Sequence, residues 1–186
     1  MRVLDAGVVV DGRVLRGADG SEGDLGHVRI TSAEDGPLCV CGARGCLAAS
    51  ASGRALARAL REQGEDVPDS RSVVELALTG HAEATRLVRE AGLVVGDVLA
   101  TAVSLLNPRV LALGGDLVLV QDHFVGAVRE RLYQRTQPQA ARGLRVVASS
   151  LGDRAGVVGA ARLALEEVLS AEAVDRALAG RRQPVP

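Results

Sequence analysis

One histidine and three cysteines fall between residues 27 and 46 in the spacing H-x11-C-x-C-x4-C. These residues are His27, Cys39, Cys41 and Cys46, and they include all three cysteines of the sequence. An odd number of cysteines in so short a segment is a poor basis for a disulfide framework. One neutral imidazole and three thiolates suit tetrahedral zinc, and four protein ligands leave no open position for catalysis. The spacing therefore predicts a structural zinc loop over residues 27–46.

Two other interpretations of this cluster stay open at the level of spacing. The cysteines could be three buried free thiols beside an unrelated histidine, although their grouping within residues 39–46 argues against this. A redox role fits less well, because the usual C-x-x-C pair is absent. Gly42 and Gly45 favour the metal, since glycine lets the backbone wrap tightly and turn its amides towards thiolates.

The composition is that of a globular chain with no marked affinity for nucleic acid. Of the 186 residues, 47% are hydrophobic and 24% are charged, close to the globular average. The net charge is −1 and tryptophan is absent, so neither a basic phosphate-binding surface nor base stacking is expected. No apolar run approaches the roughly 20 residues that span a bilayer, and no targeting segment is apparent. We expect a cytoplasmic protein with no membrane partner and no direct nucleic-acid binding.

The first third of the chain carries short strand and helix signals. Residues 2–17 predict a β-hairpin around the turn Asp11-Gly12, and residues 28–30 a further short strand. An Ala-rich segment predicts one helix from Leu47 to Arg61. A short helix is expected over residues 72–79, with Ser70 as its N-cap.

The rest of the chain alternates helices and strands. Apolar residues at helical spacing predict a long helix from His81 to Leu106, ended by Asn107-Pro108. Residues 110–113 are expected to form a buried strand, and residues 144–148 a second strand. Helices are expected near residues 117–135 and 154–169, with a short helix after Ser170. This alternation predicts an α/β fold in one domain.

Several motifs together resemble the repressor–ORF–kinase (ROK) family. They are Asp24-Leu25-Gly26-His27, the segment from Cys39 to Leu47, Asn107-Pro108, Leu113-Gly114-Gly115-Asp116 and the segment from Leu151 to Ala161. The family contains sugar kinases and sugar-responsive repressors on an actin-like, ribonuclease H-like ATPase fold. The sequence is most similar to its actinobacterial-type transcriptional regulators, because it has Asp24 where the kinases have glutamate and because of the run Gly152-Asp153-Arg154-Ala155-Gly156.

The resemblance implies a C-terminal lobe of that fold over residues 1–172, with a short helix and flexible tail over residues 173–186. It makes His27, Cys39, Cys41 and Cys46 the ligands of a structural Zn²⁺. It places Asp24 and His27 at a sugar or sugar-phosphate ligand, and Gly114 and Gly115 at a vestigial nucleotide pocket. On their own, the two glycines are typical of a plain turn. A homodimer is also expected.

The sequence departs from the kinase pattern in ways that bear on function. The two phosphate loops and the catalytic aspartate of the family kinases are absent, so we expect no catalytic residue and no ATP cofactor. The winged helix of the repressors is absent too, which suggests N-terminal truncation. Ala48 stands where the family has a sugar-binding glutamate. Losing one charged hydrogen bond costs about 1.5–3 kcal/mol, or about 10- to 150-fold in affinity.

Three functional hypotheses follow. The favoured one is the sugar-sensing and oligomerising part of a ROK-family transcriptional regulator without its own DNA-binding domain. The alternatives are a fragment of a sugar kinase that is inactive alone, and a stand-alone structural subunit stabilised by zinc. Arg54, Arg58 and Arg61 share one helical face, which we interpret as solvated rather than as a DNA contact.

Overall fold

The computed structural model of this chain describes residues 4–32 and 34–180. The chain divides between Ser149 and Ser150 into two compact units. Of the elements in these described ranges, the four strands and most of the helices lie in the first unit. No helix among the described residues is long and apolar enough to cross a membrane.

A small antiparallel hairpin opens the first unit, as the sequence predicts. Strand β1 (Val9–Val10) pairs with β2 (Arg13–Val14). The two turn residues, Asp11 and Gly12, have φ of 50° and 78°. Two consecutive positive φ values are what a tight two-residue hairpin requires, and Asp-Gly meets that requirement at low steric cost. The strand expected at residues 28–30 is reduced to a single antiparallel bridge between Arg29 and Cys46.

The single helix expected from Leu47 to Arg61 is instead two helices, α1 (Leu47–Ala51) and α2 (Gly53–Glu62). Ser52 interrupts them in an extended conformation, and its hydroxyl accepts a hydrogen bond from the Ala55 amide at 3.2 Å. A side chain on Gly53 would meet Ser70 Cβ at 2.5 Å. The expectation was wrong because this break depends on a cap and on contact with a distant segment, whereas local propensity favours one helix.

Capping residues determine where the next two helices begin, and where the second of them ends. Helix α3 (Ser70–Leu78) has Asp69, not Ser70, as its N-cap, with the Asp69 carboxylate accepting from the Arg71 and Ser72 amides. Helix α4 (Ala82–Leu106) confirms the long periodic segment. His81 caps it by accepting from the Ala84 amide through Nδ1. Asn107 ends it in the left-handed region.

Helices α4 and α5 (Phe124–Arg135) pack closely because α4 carries glycine at the crossing. A side chain on Gly92 would meet the Phe124 carbonyl oxygen at 2.6 Å, and one on Gly96 would meet Arg131 Cβ at 2.7 Å. The helix expected at 117–135 is therefore α5, preceded by a short 3-10 helix at Asp116–Leu119. Helix α6 (Pro138–Ala141) follows.

Strands β3 (Val110–Leu113) and β4 (Arg145–Ala148) form a parallel pair, with Val110 opposite Arg145 and Leu113 opposite Ala148. The strand at 110–113 was expected to be buried, but only Leu113 is, and Val110 is 49% exposed. Among the described residues the sheet has two strands, so these apolar side chains lack the cover that a wider sheet would give.

The core of the first unit lies between α1 and α5. Its fully buried large side chains include Leu47, Leu60, Val73, Val88 and Leu132. The second unit holds a 3-10 helix (Gly152–Arg154), α7 (Ala155–Val168) and α8 (Ala171–Gly180), which confirm the helices expected near 154–169 and after Ser170. The flexible tail predicted at the C-terminus lies, for residues 181–186, outside the described residues.

Candidate metal centre and adjoining cleft

The cysteine segment is a tight turn closed by backbone hydrogen bonds. The Cys39 amide donates to the Ala43 carbonyl at 2.8 Å, and the Gly42 amide donates to the Cys39 carbonyl at 3.0 Å. Gly42 has φ of 87°, a conformation that glycine adopts without strain. This turn brings Cys39 and Cys41 to the same end of the loop.

Glycines also let the loop close against the preceding chain. A side chain on Gly36 would lie 2.4 Å from Gly45 Cα, and one on Gly45 would lie 2.6 Å from the Thr31 carbonyl oxygen. Gly45 has φ of 76°. Arg44 fastens the same region by donating from Nη1 to the Gly36 carbonyl at 3.2 Å. Cys46 follows this close approach and is the N-cap residue of α1.

His27 is the last residue of a 3-10 helix (Leu25–His27) whose N-cap is Asp24. The Asp24 Oδ1 atom accepts from the His27 amide at 3.2 Å. Gly26 is buried, and a side chain there would meet the Leu4 carbonyl oxygen at 2.4 Å. Asp24 therefore also positions His27, a role that the sequence analysis did not assign to it.

The four predicted metal ligands come together. The ligand atoms of His27, Cys39, Cys41 and Cys46 all lie within 4.8 Å of one another. His27 Nδ1 is 3.5 Å from Cys39 Sγ, and Cys41 Sγ is 3.7 Å from Cys46 Sγ. Tetrahedral zinc, with bonds of about 2.3 Å to sulfur and about 2.0 Å to nitrogen, places two sulfurs about 3.8 Å apart and sulfur and nitrogen about 3.5 Å apart. These two distances match that geometry, so the donor set fits a zinc ion.

The cysteines differ in their surroundings. Cys39 and Cys46 are buried and Cys41 is exposed. Burial raises the pKa of the Cys46 thiol to about 11. A backbone hydrogen bond from Ala43 lowers the pKa of Cys41. Holding three thiolates together, two of them buried, requires a compensating cation, and a zinc ion would supply that charge.

A cleft lies directly beside the cluster. Its lining includes Asp24, His27, Ala48, Arg54 and Arg58. Both residues predicted to contact a sugar, Asp24 and His27, are thus brought to one cleft. Arg54 and Arg58 of the α2 arginine face also line this cleft. Arg54 is exposed, as a solvated face predicts, whereas Arg58 is half-buried and donates to the Ala49 carbonyl.

The two glycines predicted at a vestigial nucleotide pocket lie elsewhere. Gly114 and Gly115 follow β3 at the carboxyl end of the parallel pair, and Gly115 has φ of 97°. A side chain on Gly114 would come within 3.9 Å of Ser149 Cβ, just after β4. The carboxyl ends of parallel strands are where α/β proteins usually bind ligands. The nucleotide assignment of this turn stays a prediction.

The mixed α/β fold and the His/Cys cluster define a class of protein, and comparison with known families identifies it. The family model "ROK family" matches residues 4–167, so the chain belongs to the ROK family.

Relatives in this family include kinases and repressors. The chain is 32% identical to the glucokinase of Thermotoga maritima, over 89% of this chain and 56% of that protein. It is 28% identical to the xylose repressor of Caldicellulosiruptor bescii, over 90% of this chain and 45% of the repressor. The chain thus spans about half the length of the curated relatives it matches.

The similar solved structures also include both regulators and kinases. A ROK family transcriptional regulator, a homologue of the E. coli MLC protein, superposes with a TM-score of 0.70 at 28% identity, covering 78% of this chain and 39% of the regulator. A ROK glucokinase from Streptomyces griseus, solved with glucose and AMPPNP, also gives 0.70, at 32% identity over 86% of this chain and 56% of the kinase.

Proposed function

We propose that this chain is the sugar-sensing and oligomerising part of a ROK-family transcriptional regulator, built on a structural zinc site. In the family's actin-like fold it corresponds to the C-terminal lobe. The observation that carries the proposal is that His27 belongs both to the metal cluster and to the wall of the cleft. A ligand in the cleft therefore meets a side chain whose orientation the metal would fix.

The zinc would have a structural role, because four protein ligands complete its coordination. Binding through Nδ1 leaves the hydrogen of a neutral imidazole on Nε2, so His27 would offer a hydrogen-bond donor to the ligand. Asp24 uses Oδ1 to hold the His27 amide, and its second oxygen remains as an acceptor. One donor and one charged acceptor side by side suit the hydroxyl groups of a sugar.

The regulator is favoured over the kinase by two positions in the cleft. Ala48 cannot accept a hydrogen bond, and Asp24 is one methylene shorter than the glutamate of the family kinases. Both changes weaken the hold on a neutral sugar that must be oriented for phosphoryl transfer. The kinase alternative draws its support from the 32% identity to the glucokinase of Thermotoga maritima.

Calorimetry with the zinc-loaded chain tests the sensor proposal. We expect heat of binding with at least one sugar among glucose, xylose and N-acetylmannosamine or their phosphorylated and carboxylated derivatives. Asp24→Asn keeps an oxygen to cap the 3-10 helix but removes the charge, and should weaken binding about fivefold or more. Asp122→Ala, an exposed aspartate outside this cleft, is the matched control. The absence of heat with every compound would leave the zinc-stabilised structural subunit as the better account.

A coupled assay for ADP release distinguishes the kinase. The proposal predicts no ATP-dependent phosphorylation of these sugars by the purified chain. Product formation above the background of a kinase-free preparation would favour the kinase instead. Sedimentation velocity, with and without sugar, tests the expected homodimer. A monomer under both conditions would contradict an oligomerising role.

A further inference from the structure

We infer that the cleft takes an anionic sugar, carrying a phosphate or carboxylate group, and that Arg54 is the residue that selects it. This inference rests on the proposed sugar-sensing function and names the charge class of its ligand. It depends on the difference between two arginines of the cleft, Arg54 and Arg58, and on Ala48, which lines the same cleft.

Arg54 is a cation available for a ligand. It lies in the first turn of α2, two residues after the bend at Ser52, and its side chain is exposed at the cleft. Among the described residues, no carboxylate forms an ion pair with it and no acceptor takes a hydrogen bond from its guanidinium. A planar guanidinium matches phosphate and carboxylate oxygens with two parallel hydrogen bonds.

Arg58 lines the same cleft but is already committed to the protein. Its Nη2 atom donates to the Ala49 carbonyl at 2.8 Å, and its Nε atom is 3.8 Å from Glu62 Oε1. These contacts hold Arg58 as part of the wall and offset part of its charge. Arg58 therefore supports the positive potential near Arg54, while Arg54 keeps its hydrogen-bonding capacity for a ligand.

The charges of the cleft come from two separate parts of the chain. The carboxylates, Asp5 and Asp24, belong to the N-terminal segment, whereas both arginines belong to α2. Ala48, on α1, contributes a methyl group where a carboxylate would repel an anion. A ligand with hydroxyl groups for Asp24 and His27 and an anionic group for Arg54 satisfies both sides. A neutral sugar would leave Arg54 without a partner.

Calorimetric titration of the full zinc-loaded chain tests this inference with matched ligands. The ligands are glucose, glucose 6-phosphate and glucuronate, then N-acetylmannosamine and its 6-phosphate, with inorganic phosphate alone as a further probe. We expect an anionic member to bind about tenfold or more tightly than its neutral counterpart. Its affinity should also fall as salt is raised, because the contact is exposed. The phosphate and carboxylate members identify which anionic group the cleft prefers.

Variants separate Arg54 from general charge effects. Arg54→Ala should lower the affinity for the anionic ligand about tenfold or more and so abolish its advantage over the neutral counterpart. Arg54→Lys should retain part of the advantage, since it keeps the charge and loses the fork. Arg142→Ala removes an exposed arginine outside the cleft and should change neither affinity. Metal content and melting temperature are measured for each variant, so that a folding defect is recognised.

Three results would overturn the inference. Equal affinity for glucose and glucose 6-phosphate, in both sugar series, would show that the cleft does not select charge while leaving the sensor function intact. An anionic advantage that survives Arg54→Ala would remove Arg54 from the recognition. If inorganic phosphate bound as tightly as the sugar phosphates, the hydroxyl groups of the sugar would not contribute to recognition. The absence of binding by every ligand would instead contradict the sensor function itself.

Discussion

The loop over residues 27–46, which carries the candidate metal ligands, and the helical core of the first unit are stabilised by different interactions. The core of the first unit buries large aliphatic side chains such as Leu60, Val88 and Leu132. In the described part of that loop, the buried hydrophobic cluster consists of Cys39 and Cys46 with the neighbouring Ala49, and Ala43 packs against it. Backbone hydrogen bonds, glycines and four candidate metal ligands hold the loop in its conformation, whereas burial of apolar side chains holds the core.

This difference predicts that loss of a metal and loss of core packing would affect the chain in different ways. Burial of apolar area maintains the helices without help from a metal. The loop, in contrast, shapes one wall of the cleft through His27 and Cys39. Loss of the metal should therefore damage the cleft first and the core second, whereas a defect in the core should lower global stability and leave the metal in place.

The largest expected effect is on the loop. Cys46→Ser should abolish stoichiometric zinc binding and lower the melting temperature, because the metal binds the folded loop and stabilises it by mass action. Cys41→Ser should do the same. Metal analysis and thermal unfolding, with and without a chelator, measure both effects. A wild-type chain whose melting temperature is unchanged by chelation would contradict the coupling.

Leu60→Ala reverses the comparison by changing only the core. Its side chain is fully buried in α2, and such truncations cost about 2–5 kcal/mol in the free energy of unfolding. Denaturant unfolding should show this loss, while zinc content per folded chain stays unchanged. Leu78→Ala, at a 62% exposed position in α3, is the control and should have little effect. Loss of zinc in Leu60→Ala under native conditions would mean that the two regions are not separable.

Gly45→Ala strains the loop without removing a ligand. Its φ of 76° and the nearby Thr31 carbonyl oxygen leave no room for a side chain, so we expect a loss of about 1–3 kcal/mol. Gly20→Ala, also at positive φ but with open space around it, is the matched control for backbone strain alone. Chemical unfolding of the zinc-loaded chains compares the two. Equal destabilisation would show that the close approach to Thr31 contributes nothing.

Arg44→Ala should have the smallest effect. It removes the hydrogen bond from Nη1 to the Gly36 carbonyl, which is worth about 1 kcal/mol. Competition with a zinc chelator should reveal slightly weaker metal retention, and Arg13→Ala on the exposed hairpin should not. If Arg44→Ala weakened zinc retention more than Gly45→Ala does in the same chelator competition, Arg44 would have a role beyond its hydrogen bond to Gly36.

The sequence predicted the elements that local signals control. The Asp11-Gly12 hairpin, the long helix α4 and the strands β3 and β4 were all recognisable from turn residues and apolar periodicity. The break at Ser52 was not, because it depends on the approach of Gly53 to Ser70, a contact between distant segments. Such contacts leave no mark in a local pattern.

The candidate site likewise contains residues that local sequence patterns predict and residues that they do not. The spacing of His27 and the three cysteines predicted the cluster. All four ligands lie within one short segment, so the pattern is visible in the local sequence. Helical periodicity predicts that Arg54 lies on a solvated face, and Arg54 is exposed, but periodicity does not indicate that this face lines a cleft. The positioning role of Asp24 was available in part, since aspartate before a helical turn is a typical N-cap.

The most direct test of the account is X-ray absorption at the zinc edge on the purified chain, together with its metal content. The account predicts one zinc per chain, with three sulfur ligands at about 2.3 Å and one nitrogen ligand at about 2.0 Å. A folded chain that contains no zinc, or a zinc shell made of oxygen ligands, would contradict the claim that His27, Cys39, Cys41 and Cys46 form the metal site beside the cleft.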